Sequence, residues 1–284
     1  MAPALTGTGH TVVVVVVALP VLEERLGSLR RGLSSLERVV VAFSGGADSA
    51  LLAWVANDTL GPGAVVAATA VSPSLAPEEA HDCAELAAEW GLRWQPVVTD
   101  EMADPAYVAN DGLRCAHCKS ALMAALAPLA AAEQATVVLG VNLDDLSDHR
   151  PGQEAAAAAG AVFPLVDAGF TKDEIRAASR NLGLRTWDKP AAACLASRVP
   201  YGTPVTVGVL AEVAAAESAL RRLGFRQLRV RHYGELARIE LAPDDLEIAI
   251  RRREDVVDAV RGAGYRYVTL DLEGFRSGNL NAAL

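Results

Sequence analysis

Apolar and polar stretches alternate along this chain in the manner of short buried strands separated by amphipathic helices. Val39 to Phe43 is a β-branched and aromatic run with no polar break, the mark of a strand covered on both faces. Two glycines interrupt it, and Ala50, Leu51, Leu52, Trp54 and Val55 then follow with helical spacing. Ahead of the strand, Val21, Leu22, Leu26, Leu29, Leu33 and Leu36 recur among arginines and glutamates as the apolar stripe of a helix over 21–36. Downstream, strands are predicted over 64–71, 94–98 and 136–141, and helices over 77–90, opened by Pro77, Glu78 and Glu79, and over 115–132. Phe163 to Leu165 reads as a short extended piece, and Thr171 with Glu174 has the spacing of a capping box for a helix reaching about Leu182. Strand and helix in alternation build an α/β fold with a doubly wound parallel sheet.

Beyond the proline-rich stretch Pro200-Tyr201-Gly202-Thr203-Pro204 the order changes. A helix over 205–223 precedes a strand over 227–232 and a hairpin partner over 236–241, and a helix over 244–261 leads to a last strand over 265–270. The chain thus divides into an N-terminal extension (1–20), a sheet domain (21–202) and a smaller α+β domain (203–284).

Composition narrows the setting. With 284 residues, 51% hydrophobic and 21% charged, the chain can bury a sizeable core. A net charge of -9 argues against an obligate nucleic-acid partner, which needs a basic face. Four cysteines make no disulfide framework and point to a reducing cytoplasm with free thiols. Val12 to Val17 is a run of six valines stopped at Pro20, short of the roughly 20 apolar residues a membrane helix requires, and no basic segment and cleavage site mark a signal peptide. The chain reads as soluble, with no membrane partner.

The chemistry gathers where strands end. Ser44-Gly45-Gly46-Ala47-Asp48-Ser49 turns the first strand into a helix: the glycines let a ligand approach the main chain, Ser44, Ser49 and the new helix's amides can donate to an anion, and Asp48 caps the helix or orients a metal. No Gly-Lys-Ser or Gly-Lys-Thr occurs, so this is not the common P-loop. It resembles instead the SGGxDS loop of the ATP pyrophosphatases, the PP-loop enzymes, which grip the pyrophosphate of ATP and transfer AMP to an acceptor oxygen. Ligands of parallel sheets bind beyond the carboxyl ends of the strands, where Ser44, Ser72 and the segment from Gly140 should converge. Within Gly140-Val141-Asn142-Leu143-Asp144-Asp145, two adjacent carboxylates suit Mg²⁺, which binds through one or two carboxylates plus phosphates. Lys172 and Arg176, four apart on a helix, could face one anion or simply solvent.

A second candidate centre lies in Lys189-Pro190-Ala191-Ala192-Ala193-Cys194-Leu195-Ala196-Ser197-Arg198. A lone cysteine is usually a small buried hydrophobe, but Arg198 and Lys189 nearby in sequence could keep Cys194 as the attacking thiolate. Cys115 and Cys118 could be a redox pair, half of a metal site or structural. On the 227–232 strand, Arg229 and Arg231 share one face and could bind a phosphate or carboxylate, or simply be solvated.

Five segments together resemble one family, the ATP-dependent sacrificial sulfur transferases known as LarE, from Arg38 to nearly the end of the chain: Ser44 to Ser49; Arg114-Cys115-Ala116-His117-Cys118-Lys119; Gly140 to Asp145; Asp148-His149-Arg150-Pro151-Gly152; and Ala193 to Arg198. The resemblance implies ATP and Mg²⁺, with Ser44, Gly45, Gly46, Asp48, Ser49, Ser72, Gly140 and Asn142 at the nucleotide and Asp48, Asp144 and Asp145 at the metal. It implies a pyridinium biscarboxylate mononucleotide as substrate, bound by Arg229, Arg231, Glu217 and Glu240. Adenylation of a carboxylate, attack by Cys194 and elimination with help from Arg198 would leave dehydroalanine and contribute to a nickel-pincer nucleotide cofactor. Family members form hexamers, which implies a homo-oligomer. The alternatives are a PP-loop enzyme that recycles sulfur through an iron-sulfur cluster held by Cys115, Cys118 and Cys194, a tRNA- or ammonia-directed PP-loop synthetase, and a non-catalytic nucleotide sensor.

Overall fold

The computed structural model describes residues 19–146, 151–190 and 193–276; the valine run and Asp148 to Arg150 lie outside them. The chain opens with α1 (Leu19–Leu36), which leads into β1 (Val39–Ala42), α2 (Ala47–Leu60), β2 (Val65–Val71), α3 (Pro77–Glu89) and β3 (Trp94–Val98). Short α4 (Pro105–Ala109) and long α5 (Arg114–Glu133) precede β4 (Thr136–Leu139), and α6 (Leu143–Leu146), α7 (Pro151–Ala158), α8 (Pro164–Asp167) and α9 (Lys172–Asn181) complete this part. The strands form one parallel sheet in the order β3-β2-β1-β4, so the chain reverses direction of travel between β1 and β4.

Strand periodicity splits the core into two layers. Val39, Val41 and Phe43 point to the side packed by α1, α2, α3 and α9, while Val40, Val66 and Leu139 point to the side packed by α5 and α7. That is why β1 reads as an unbroken apolar run: neither face meets water. Among the described residues α5 alone has the length and apolar character of a membrane-crossing helix, and it lies against β1, β3, β4 and α7.

Three details differ from the sequence reading. The fourth strand stops at Leu139, because Gly140 abuts the first turn of α2; a Cβ there would lie 2.7 Å from the Ser49 nitrogen. Phe163 to Leu165 is not extended: only Val162 bridges to Val138, and Pro164 opens the short α8. The predicted helix over 244–261 begins as a 3-10 turn and is broken at Arg252, whose guanidinium donates to the Leu223 carbonyl at 2.7 Å, giving α11 (Leu246–Arg251) and α12 (Arg253–Arg261). The Thr171–Glu174 capping box of α9 is present as expected.

The C-terminal part packs α10 (Val207–Arg222), α11 and α12 on a three-stranded sheet, β5 (Leu228–Tyr233), β6 (Leu236–Leu241) and β7 (Tyr267–Leu270), around Leu220, Phe225, Val230, Ile239 and Val260. β5 and β6 are antiparallel, β6 and β7 parallel. A separate apolar cluster ties this part to the first: Tyr107 of α4, Leu195, Ala196 and Val199, and Leu210 and Val213 of α10.

Asn110 fastens that joint. It is fully buried in the left-handed region (φ 57°), where asparagine is better tolerated than most residues. Its Nδ2 donates to the carbonyls of Pro200 and Thr203 at 2.8 Å, its Oδ1 accepts from Arg114 at 2.5 Å, and its carbonyl accepts from Gly202. Replacing Asn110 with Ala takes the Nδ2 donor from the Pro200 and Thr203 carbonyls and an acceptor from Arg114, and puts alanine in the left-handed region, so the expected loss is about 2 to 3 kcal/mol in urea unfolding. Cleavage near residue 200 under limited proteolysis should accelerate in parallel.

Candidate active site

The turns that follow the parallel strands open into a cleft of about 450 Å³ between the two parts of the chain. It runs from the β1–α2 turn, past Ser72 and Ser74 after β2, to Cys194 and then to Arg229 of β5. This is the crevice that a reversal of strand order creates, here between β1 and β4.

At one end lies the glycine turn. Gly45 adopts φ 66°, and a side chain on it would lie 3.0 Å from the buried Cys83 Sγ, so both backbone angle and space call for glycine. Gly46 is the N-cap of α2 without a capping side chain, which leaves the first-turn amides of that helix available to an anion. Ser44 and Ser49 shape the turn: the Ser44 amide donates to Ser49 Oγ at 3.2 Å, and the two hydroxyls are 3.1 Å apart. Ser44, Gly46, Asp48, Ser49, Ser72 and Gly140 line the cleft, whereas Asn142 lies just behind with its amide 3.5 Å from Asp48 Oδ1.

Each of the carboxylates expected at a metal accepts from a protein donor. Asp48 accepts from Lys172 Nζ at 2.5 Å, Asp144 accepts from the Lys172 amide at 2.7 Å, and Asp145 accepts from the Asn142 amide at 3.2 Å. Only Asp48 of the three borders the cleft, and among the described residues no group of three or more histidine, cysteine or acidic side chains is placed to hold a metal ion. Asp144 and Asp145 both sit in the first turn of α6, where Asp145 accepts from an amide of its own turn and Asp144 from the first residue of α9.

Cys194 is exposed and immediately precedes a 3-10 turn, Leu195–Arg198, buried on its other side. Four contacts fix this turn: the Leu195 amide donates to the Ser74 carbonyl (2.9 Å), Arg114 donates to the Ala196 carbonyl (2.9 Å), and Arg231 donates to the Ser197 carbonyl (2.7 Å). The fourth is Arg198 itself, whose Nη1 donates to the carbonyls of Ala193 (2.7 Å) and Cys194 (3.3 Å). Its remaining nitrogens form a bidentate pair with the fully buried Glu217, at 2.8 and 3.1 Å. Arg198 is therefore turned to the backbone and to Glu217, and Lys189 is held by Glu79 (2.8 Å) and Asp82 (2.5 Å). Burial opposes the charge on Lys189, but those two carboxylates raise its pKa above the ordinary lysine value. Activation of Cys194 by a free cation on either side is thus not the arrangement found.

Cys118 also lines the cleft, and burial followed by the neighbouring Cys194 and Glu101 pushes its thiol up to about 12. Cys115 is exposed and outside the cleft. On β5, Leu228 and Val230 face the C-terminal core, and Arg229 and Arg231 face the other way, but that face is covered rather than solvated. Arg231 and Glu240 are buried and paired at 3.0 Å away from the cleft. Arg229 borders the cleft, stacked 4.6 Å from the Phe275 ring centroid, and makes no ion pair among the described residues. Burial, then Arg198 and Arg231, lower its pKa, so this guanidinium lies where an anion would be most welcome.

No family model matches the chain. Curated relatives do: an uncharacterised protein of Synechocystis is 49% identical over 93% of this chain and 99% of its own length. The pyridinium-3,5-bisthiocarboxylic acid mononucleotide synthase of Lactiplantibacillus plantarum is 39% identical over 93% of this chain and 96% of its own length. The chain belongs to the LarE family. An uncharacterised protein of Methanocaldococcus jannaschii is 26% identical over 85% of this chain.

For this LarE-family chain, sequence reasoning missed Glu101 and the carboxylates that hold Lys189. Glu101 follows β3 by three residues, and its position past the carboxyl end of a parallel strand was the available signal. Lys189 lies 3.7 Å from the position of a Cβ on Gly45, beside the glycine turn; only the fold brings it there. The two arginines of β5 should separate experimentally. Arg231→Ala removes the bidentate partner of buried Glu240 and the donor to the Ser197 carbonyl, and should cost about 3 kcal/mol in chemical unfolding. Arg229→Ala, losing a ring contact and relieving like-charge repulsion, should stay within about 1 kcal/mol of the parent.

Proposed function

We propose that the chain is an ATP-dependent sulfur transferase that adenylates a carboxylate of a pyridinium biscarboxylate mononucleotide and supplies sulfur from its own Cys194, for a nickel-pincer nucleotide cofactor. The observation that carries this reading is one cleft with the glycine turn at one end, exposed Cys194 in its wall and, beyond, Arg229 without an ion pair among the described residues. The synthase name of the Lactiplantibacillus plantarum relative supports the same substrate class and a sulfur-transfer role.

The α2 amides, Ser44 and Ser49 suit the pyrophosphate of ATP, and Lys189 and Lys172 bring positive charge to its side. Asp48 is the cleft carboxylate that could share Mg²⁺ with the phosphates, a fit that needs only one or two protein carboxylates; the ion would neutralise charge on the departing pyrophosphate. Arg229 suits an anionic group of the mononucleotide, while Glu217, Arg231 and Glu240 shape the wall that presents Cys194. Attack of the Cys194 sulfur on the adenylated carboxylate displaces AMP and gives a thioester. Breaking the Cβ–S bond then needs loss of the Cys194 α-proton, and Arg198 Nη1, already on the Cys194 carbonyl, stabilises charge that develops on that oxygen. A homo-oligomer in the cytoplasm, without nucleic-acid or membrane partners, suits this chemistry.

A second reading uses Cys115, Cys118 and Cys194 to hold an iron-sulfur cluster and recycle sulfur, and Cys118 on the cleft wall is what speaks for it. Intact mass separates the two. On the sacrificial reading, product saturates at one sulfur per chain, the protein becomes lighter by one H₂S at residue 194, and Cys115→Ser and Cys118→Ser retain that single turnover. Repeated turnover with unmodified Cys194, or loss of transfer and bound iron in both serine variants, would favour the cluster.

A further inference from the structure

The elimination step requires a base, and one group in the cleft stands unassigned. Glu101 is 3% exposed, yet it has no cation partner among the described residues. Its Oε1 accepts from Ser72 Oγ at 2.5 Å, but its Oε2 is buried with no hydrogen-bond partner among the described residues, although the side chain borders the cleft. A buried carboxylate oxygen without a partner is costly and calls for a reason.

Its neighbours supply that reason. The Ser74 amide donates to Ser72 Oγ at 3.2 Å, and the Ser74 carbonyl accepts from the amide of Leu195, the residue after Cys194. A short hydrogen-bonded path therefore fixes Glu101 relative to the cysteine. Glu101 and Cys194 also flank the same two groups, Cys118 and Tyr107, and both oppose their ionisation. The other cleft acids are occupied: Asp48 by Lys172, Glu79 by Lys189, and Glu217 by Arg198 and Arg221. Cys118 keeps its proton near neutrality, and the Tyr107 hydroxyl is engaged with Ser74 at 2.6 Å.

We infer that Glu101 is the general base that removes the Cys194 α-proton after the thioester has formed, an assignment that rests on the sacrificial sulfur-transfer reading. Oε2 takes the proton from Cα; the C–H electrons become the Cα=Cβ bond of dehydroalanine; the Cβ–S bond breaks, and its electron pair leaves with sulfur as the thiocarboxylate. Arg198 on the Cys194 carbonyl stabilises the enolate-like charge, and the Glu101 carboxyl later returns the proton to water.

The test is a single turnover of the full chain with ATP, Mg²⁺ and pyridinium biscarboxylate mononucleotide, followed by AMP release and intact mass. Glu101→Gln should release AMP and accumulate the thioester adduct, cleavable by hydroxylamine, while dehydroalanine forms at least about 100-fold more slowly than in the wild type. Glu101→Asp, which keeps the charge but withdraws it, should fall between the two, and it decides the matter if the glutamine variant does not fold. A folded Glu101→Gln or Glu101→Asp that forms dehydroalanine at the wild-type rate overturns the assignment and leaves the sulfur-transfer reading intact. Wild-type protein that releases AMP and transfers sulfur without mass loss at residue 194 overturns that reading, and the role of Glu101 with it.

Discussion

The buried pair between Arg198 and Glu217 is the constraint on which the rest of the site depends. Both oxygens of Glu217 are doubly used, one by Arg198 Nε and the Val230 amide, the other by Arg198 Nη2 and Arg221. A charge pair taken out of water repays its desolvation only when every donor and acceptor finds a partner, and here each does. The result is a rigid tie from the turn after Cys194 to the helix α10 and strand β5 of the smaller part. Because Arg198 spends its last nitrogen on the Cys194 backbone, the same pair that joins the two parts also sets the cysteine's orientation.

Around that tie the cleft is asymmetric. Its glycine-turn end carries helix amides and Lys189, with Lys172 paired to Asp48 of the same turn, and each lysine is already balanced by carboxylates, so it can take a polyanion by exchanging partners without leaving a bare charge when empty. Its far end carries Arg229, repelled by its own neighbours. Between them the wall carries thiols, hydroxyls and one carboxylate oxygen that has no partner among the described residues. On the proposed reaction this sequence of environments follows the chemistry in order, from phosphate through acyl transfer to proton abstraction.

The LarE resemblance and the α/β architecture were both legible in the residues. β1 could be read because burial on both faces forbids polar positions, the glycine turn because backbone angle and close approach restrict Gly45, and the alternation of β5 because a strand has period two. Where the reading slipped, a long-range contact decided. Gly140 ends β4 early because α2 lies against it, and Arg252 breaks a helix because a carbonyl 29 residues earlier captures its side chain.

The sequence alone thus determined the alternation of the main strands and helices and which residue types stand at the strand ends, since local periodicity and backbone sterics are written in neighbouring residues. Tertiary structure alone decided the pairing of charges. Arg229 and Arg231 look equivalent two residues apart, yet one borders a cleft and the other is sealed against Glu240. Lys189 looks close to Cys194 and instead meets Glu79 and Asp82, while Glu101, 93 positions away, is linked to the cysteine's turn through Ser72 and Ser74. A side chain's partner depends on what the fold brings within a few ångströms, and a Coulomb interaction weighted by burial has no signature in the spacing of residues.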